Sequence, residues 1–422
     1  MKNTVHIKRK FYDSLKRGTG EAYLIAKEYP RIDFSNLIIK GALRNFAYDG
    51  QSENSRAQYI FDLILISTKN EKIRKVILQG FREEEYDTWS LTHMFDLVKL
   101  FIQHGDKKAK QVLYSRFRNN YDVTSDWVGT EEILELDGFE GLKLIAEEFG
   151  KRIEQNPDEI QDDSIVCNFQ ENHKELNVLK ELEKEAKLNK YIRIYIENIS
   201  KTRREYEEHS SKTKFDNIIE EIESRNTSFI WLGSRKLNQA ETELIANKFL
   251  TEKNKSNKSK FLSIFSNIKY PFDYKVILET AKKKPNSKDR LVEFSIDALS
   301  NLQGEDIREY ALEKLKTTRR PADYIKLLKY NYRTGDYKIL KEIVEKYHNE
   351  HMIEKLACSI IDVYEENGTE ECIEPLLELY NKMNCGIHRN DLVKILIKND
   401  VLPDKLRNEI KYDSDLETRQ LQ

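Results

Sequence analysis

Residues 321–368 read PADYIKLLKYNYRTGDYKILKEIVEKYHNEHMIEKLACSIIDVYEENG. Tyr324, Leu327, Leu328 and Asn331 have the spacing of one buried helix face. An amphipathic stretch opens at Pro321, a short polar break follows, and a second amphipathic stretch completes the pair. The same plan opens near Lys288, His351 and His388, so successive starts lie 33, 30 and 37 residues apart. Units of this length bury their apolar faces only by stacking on their neighbours, which is the pattern of an α-solenoid. The expectation is an all-α solenoid of antiparallel helix pairs, with roughly eighteen to twenty helices.

The composition agrees. The 422 residues include only 15 glycines and 7 prolines, against 39% hydrophobic and 34% charged residues. Scarce turn residues suit long helices joined by short breaks and argue against an all-β fold. The net charge of −2 gives no global attraction to nucleic acid or anionic membrane. Locally, residues 131–185 hold 17 acidic and 6 basic side chains, and residues 251–290 hold 11 basic and 4 acidic. Cys167, Cys358, Cys372 and Cys385 are too few for a disulfide framework in a chain this long. The first 15 residues lack the apolar centre of a signal peptide, and Asp62 interrupts the most apolar run, so a reducing cytoplasm and no membrane span are expected. Heavy use of lysine, asparagine and isoleucine points to a bacterial source with an AT-rich genome.

Helix starts and stops can be read along the chain. Pro30 ends one helix and Asp33 or Ser35 opens the next. Asp87 or Thr88 caps a helix from Trp89 to Phe101, and Asp106 opens one from Lys107 to Phe117. Residues 119–129 read as an ordered loop, and a helix resumes near Gly138. The polar run Asn254–Lys260 reads as a mobile loop. Three segments follow: N-terminal helical repeats (1–155), a charged helical middle (156–257) and C-terminal repeats (258–422), which one continuous solenoid would also accommodate.

Two fragments carry a family resemblance. Gly304-Glu305-Asp306-Ile307-Arg308-Glu309-Tyr310-Ala311-Leu312 places an acidic turn before an aliphatic residue and an arginine, and Asp413-Ser414-Asp415-Leu416-Glu417-Thr418-Arg419 repeats that order. Both are similar to the start of a second helix in the HEAT-repeat family. The resemblance covers about a third of the chain and implies a right-handed α-solenoid of HEAT-like antiparallel helix pairs. In such a pair the Asp caps the helix, the aliphatic residue enters the core, and the Arg reaches the acidic turn of the neighbouring repeat.

Local patterns with chemical potential are few. Cys385-Gly386-Ile387-His388 has metal-ligand spacing, and zinc would need Cys372 and Cys358 to converge on it. Packed structural thiols are the simpler reading, so no metal and no cofactor are expected. His348, His351 and Glu354 could share a helix face, with solvation as the plain alternative. Pro403-Asp404 with Glu409 and Lys411 mimics a nuclease pattern, but its period is helical. No Cys/His or Ser/His nucleophile assembles from local context, so no catalytic residue is assigned.

The binding candidates are basic and aromatic. Arg319, Arg320, Tyr324 and Arg333 crowd one helix and its ends, and Arg203 and Arg204 belong to a second cluster. Such groups can neutralise phosphates while tyrosines stack. HEAT-like DNA glycosylases use tryptophan and aspartate near the lesion. Asp87/Trp89 and Asp126/Trp127 match in residue type, though the surrounding residues depart from that family's motif. Trp127, beside Asp126 in a loop, is the contact candidate of the two pairs. The expected role is a non-enzymatic scaffold or regulatory binder for another protein, with a nucleic-acid-binding solenoid as the alternative.

Overall fold

The computed structural model describes residues 2–120, 127–158, 161–210, 218–227, 230, 236–286 and 289–421. Among them there are 25 α-helices and no strand. No helix among the described residues is long and apolar enough to cross a membrane. The chain divides into two compact units, residues 1–214 with 412–415, and residues 215–411 with 416–422. The division falls inside the segment 156–257 that the sequence sets apart.

The first unit holds α1 (Lys2–Arg17), α2 (Glu21–Glu28), α3 (Ser35–Ala42), α4 (Gly50–Glu53), α5 (Ala57–Ile66), α6 (Asn70–Glu83), α7 (Thr88–Gln103), α8 (Lys107–Arg118), α9 (Thr130–Gln155), α10 (Ser164–Asn172), α11 (Val178–Ala186) and α12 (Lys190–Ser210). Its core includes Phe11, Tyr59, Phe95, Phe117 and Phe149. Two of the expected caps form, whereas α3 has Phe34 at its N-cap and no side-chain cap. The Asp87 carboxylate accepts from Ser90 N at 3.0 Å, and that of Asp106 accepts from Lys108 N and Ala109 N. The helix expected from Gly138 begins earlier, at Thr130, and breaks at Gly138, where φ is 54° and ψ is −128°. Only glycine adopts such a backbone without strain.

This unit buries a carboxyl group. Glu132 is 4% exposed, and burial, followed by the charge of Asp96, holds its acid well above the usual carboxylate range. Lys99 offsets part of this, 3.1 Å from Asp96 and 2.8 Å from Glu135. The folded state therefore keeps a proton that the unfolded state has released. Stability falls as pH rises from the ordinary carboxylate value through the folded one. Glu132→Gln is expected to stabilise the protein by about 1–2 kcal/mol near pH 9 and by much less near pH 5. Thermal melts of both proteins at the two pH values check this; an equal effect at both would refute it.

The second unit holds α13 (Ile218–Ser224), α14 (Gln239–Thr251), α15 (Lys255–Ile264), α16 (Lys275–Ala281), α17 (Leu291–Leu299), α18 (Glu305–Leu315), α19 (Pro321–Ile325), α20 (Tyr337–Lys346), α21 (Glu350–Glu366), α22 (Ile373–Lys382), α23 (Gly386–Lys398), α24 (Asp404–Glu409) and α25 (Leu416–Arg419). From α15 to α25 each odd-numbered helix packs on the next odd-numbered one, while α16, α18, α20 and α22 each pack on the helix that follows. The starts at Pro321, Glu350 and Gly386 fall where the sequence period puts them; Lys288 lies outside the described residues.

Polar side chains tie successive pairs together. Asn301 donates to the carbonyls of Phe265 and Ser266 at 3.0 Å, Asn331 to that of Leu302 at 3.0 Å, and Asn367 to that of Lys329 at 2.7 Å. Each asparagine thus satisfies carbonyls left open where the preceding odd-numbered helix and its trailing turn end. Arg308 forms the expected bridge to the next acidic turn, a two-pronged contact with Asp336 at 2.5 and 2.8 Å.

Several expectations need correction. The run Asn254–Lys260 is not a loop: Asn254 caps α15 by accepting from Ser256 N and Asn257 N, and Ser259 and Lys260 are buried. Its polar composition conceals a helix whose inner face carries Phe261 and Leu262. The helices outnumber the expected eighteen to twenty because some are single short turns, such as α4 and α25. Asp306 does not cap α18. Its carboxylate instead accepts from the Tyr274 hydroxyl at 2.7 Å and pairs with Lys275. In the second fragment Leu416 does not enter the core but is 50% exposed.

Candidate functional site

The basic and aromatic residues singled out by sequence do not present a free cationic track. Arg203 lies 3.6 Å from Asp163, and Arg204 donates to the Ser200 carbonyl at 3.1 Å. In the second unit Arg333 pairs with Glu305, and Lys282 with Glu279 at 2.9 Å. Tyr324 is half-buried, edge-on to Tyr310 at 5.9 Å. Arg319 and Arg320 are exposed just before α19. In the first unit Trp127 is 41% exposed and meets Trp89 edge-on at 6.2 Å, so the two tryptophans form one contact. Asp126 lies outside the described residues.

A groove crosses the second unit beside the asparagine braces. It is lined by Asn267, Lys269, Gln303, Tyr330 and Glu366, together with Asn301 and Asn367. These residues follow or end α15, α17, α19 and α21, so four successive odd-numbered helices contribute to one polar channel. Tyr330, 37% exposed, is its large apolar surface.

The densest chemistry in the second unit lies between α21 and α23. Asn349 caps α21 by accepting from Met352 N at 3.1 Å, which fixes the helix that carries Glu354 and Cys358. Four residues apart, those two side chains share one helix face. The neighbouring helix α23 starts at Gly386, directly after Cys385, and carries His388 in its first turn. Imidazole Nδ1 lies 2.5 Å from Glu354 Oε2, and Nε2 lies 3.4 Å from Cys358 Sγ. Cys385 N donates to Glu354 Oε1 at 3.3 Å. Ligand atoms of Glu354, Cys385 and His388 all fall within 4.8 Å of one another. Hydrogen bonds to Cys358, Cys385 and Glu354 push the His388 imidazole up to about 12, so its positive charge balances the buried Glu354 carboxylate.

The local sequence reading missed this cluster. Local spacing sets Cys385 and His388 with Cys372 and Cys358; Cys358 does reach the imidazole, whereas Cys372 is buried elsewhere, its thiol pushed up to about 11 by burial. It grouped Glu354 with His348 and His351, both of which are exposed. Cys358, which the packed-thiol reading expects to be buried, is exposed. A Cys–His–Glu order does assemble, with Cys358 on one side of the imidazole and Glu354 on the other. The available signal was Glu-x-x-x-Cys followed one repeat later by Cys-x-x-His, which can converge only if consecutive odd-numbered helices are neighbours.

Such a set of groups can either hold a soft divalent metal or activate the exposed thiol. Compared with protein families, curated proteins and solved structures, the chain matches none.

Proposed function

We propose that the second unit is a right-handed α-solenoid of HEAT-like helix pairs, and that the protein is a non-enzymatic scaffold or regulatory binder for another protein. The observation that carries this reading is the polar groove formed by the ends of four successive odd-numbered helices. A surface built from repeated elements suits an extended partner segment, whose backbone can pair with Asn267 and Gln303 while an apolar side chain packs on Tyr330. The net charge of −2 gives no global attraction to a phosphate backbone, which favours a protein partner over a nucleic acid. The protein is proposed to work in a bacterial cytoplasm, and its four free cysteines suit a reducing compartment.

The test is affinity capture from nuclease-treated lysate, followed by reconstitution with the purified partner. A stoichiometric complex that is lost in the Lys269→Glu/Tyr330→Ala variant, with melting temperature unchanged, is the expected result. A complex indifferent to that variant, or one abolished by nuclease, would overturn the reading.

A further inference from the structure

We propose that Glu354, Cys385 and His388 form a binding site for a zinc-class divalent cation, with Cys358 holding the far side of the imidazole. One thiol, one imidazole and one carboxylate are the ligand types that zinc takes in proteins. Their ligand atoms already lie within 4.8 Å of one another. A tetrahedral ion with bonds of about 2.0–2.3 Å sets its ligands roughly 3.3–3.8 Å apart, so the side chains need adjust by only about 1 Å. The two helices that supply them are packed neighbours, so the set is held on rigid elements.

Two further observations favour a metal over an activated thiol. Glu354 is 5% exposed, and its only ion pair among the described residues is with His388. A dication bound through Nδ1 in place of the imidazole proton would balance both the Glu354 carboxylate and a Cys385 thiolate. Cys385, itself 5% exposed, would have no part in a Cys358–His388–Glu354 nucleophile, yet its sulfur is close to both other ligands. Metal-bound histidines donate their second ring N–H to an outer partner, and Cys358 Sγ, 3.4 Å from Nε2, is in that position. Three protein ligands leave one coordination position for solvent or a partner's side chain.

The test uses the reduced full-length chain, stripped of metal and titrated with zinc alone and with cobalt alone. One equivalent of zinc should survive gel filtration. The cobalt form should show a sulfur-to-cobalt charge-transfer band and the strong visible bands of a four-coordinate ion. Cys385→Ser should abolish both. Glu354→Gln, nearly isosteric, should abolish zinc retention, with circular dichroism confirming that the fold is kept. Cys358→Ala should weaken zinc binding about 10–100-fold but keep the charge-transfer band, and Cys167→Ser should change nothing. The proposal is overturned if no zinc is retained, or if retention survives both Cys385→Ser and Glu354→Gln. It is equally overturned if iodoacetamide modifies Cys358 rapidly in a protein that retains no zinc, which would identify a nucleophilic thiol instead.

Discussion

Replacing Arg308 by alanine is expected to lower the stability of the second unit by about 3–5 kcal/mol, the range for breaking a buried ion pair from one side. The guanidinium and the Asp336 carboxylate are 10% and 7% exposed, so solvent screens them little. Arg308 also donates to the Asn331 carbonyl at 2.8 Å, and Asp336 accepts from Arg333 N at 2.8 Å. Alanine would therefore leave a buried carboxylate facing a turn that has lost its brace. Arg308→Lys should recover only part of the loss, because an ammonium cannot make the two-pronged contact. By contrast, Arg333 and Glu305 are more than half exposed, and Arg333→Ala should change stability by less than about 0.5 kcal/mol. Urea unfolding followed by circular dichroism distinguishes the two; equal effects would show that the Arg308 bridge contributes no more than a surface pair.

Gly150→Ala is expected to destabilise the first unit by about 3 kcal/mol or more. A Cβ at this position would stand 1.9 Å from the carbonyl oxygen of Tyr191 and 2.5 Å from its carbonyl carbon. Both obstacles are backbone, so no side chain can turn aside; α9 and α12 would have to move apart. That separation would open the packing of Phe149 against Tyr195, whose rings lie 6.0 Å apart. Gly105→Ala is the comparison. Nothing lies within 4 Å of its added methyl, and only the left-handed backbone, φ 91°, opposes it, at about 1 kcal/mol. Thermal melts of the two variants measure the difference. If Gly150→Ala melts no lower than Gly105→Ala, the close approach of the two helices is wrong.

What could be read from sequence was local. Asp87 and Asp106 cap the helices they precede, and Pro321 opens α19, because capping and proline geometry depend on residues within one turn. The Arg308–Asp336 bridge was legible because the spacing of arginine and the next acidic turn follows the repeat. Interactions that depend on which helices become neighbours were not. Asp306 looks like a cap, but Tyr274 and Lys275 on the preceding pair claim it. The Asn254–Lys260 run looks unstructured until Ser259 and Lys260 are seen to be buried. Local spacing joins Cys358 to Cys385 and His388 but groups Glu354 with His348 and His351, although one repeat length separates Glu354 and Cys358 from Cys385 and His388. Each half of that cluster is ordinary by itself, and only the packing of α21 on α23 joins them.

The proposed choice of a protein rather than a nucleic acid as partner is tested by fluorescence anisotropy. The full-length protein is titrated into labelled duplex and single-stranded DNA at low and physiological salt. The proposal, which rests on the net charge of −2, expects no saturable binding at either salt. Saturable binding that weakens steeply as salt rises would contradict it and make Arg319, Arg320 and the tyrosines around them the first contacts to examine.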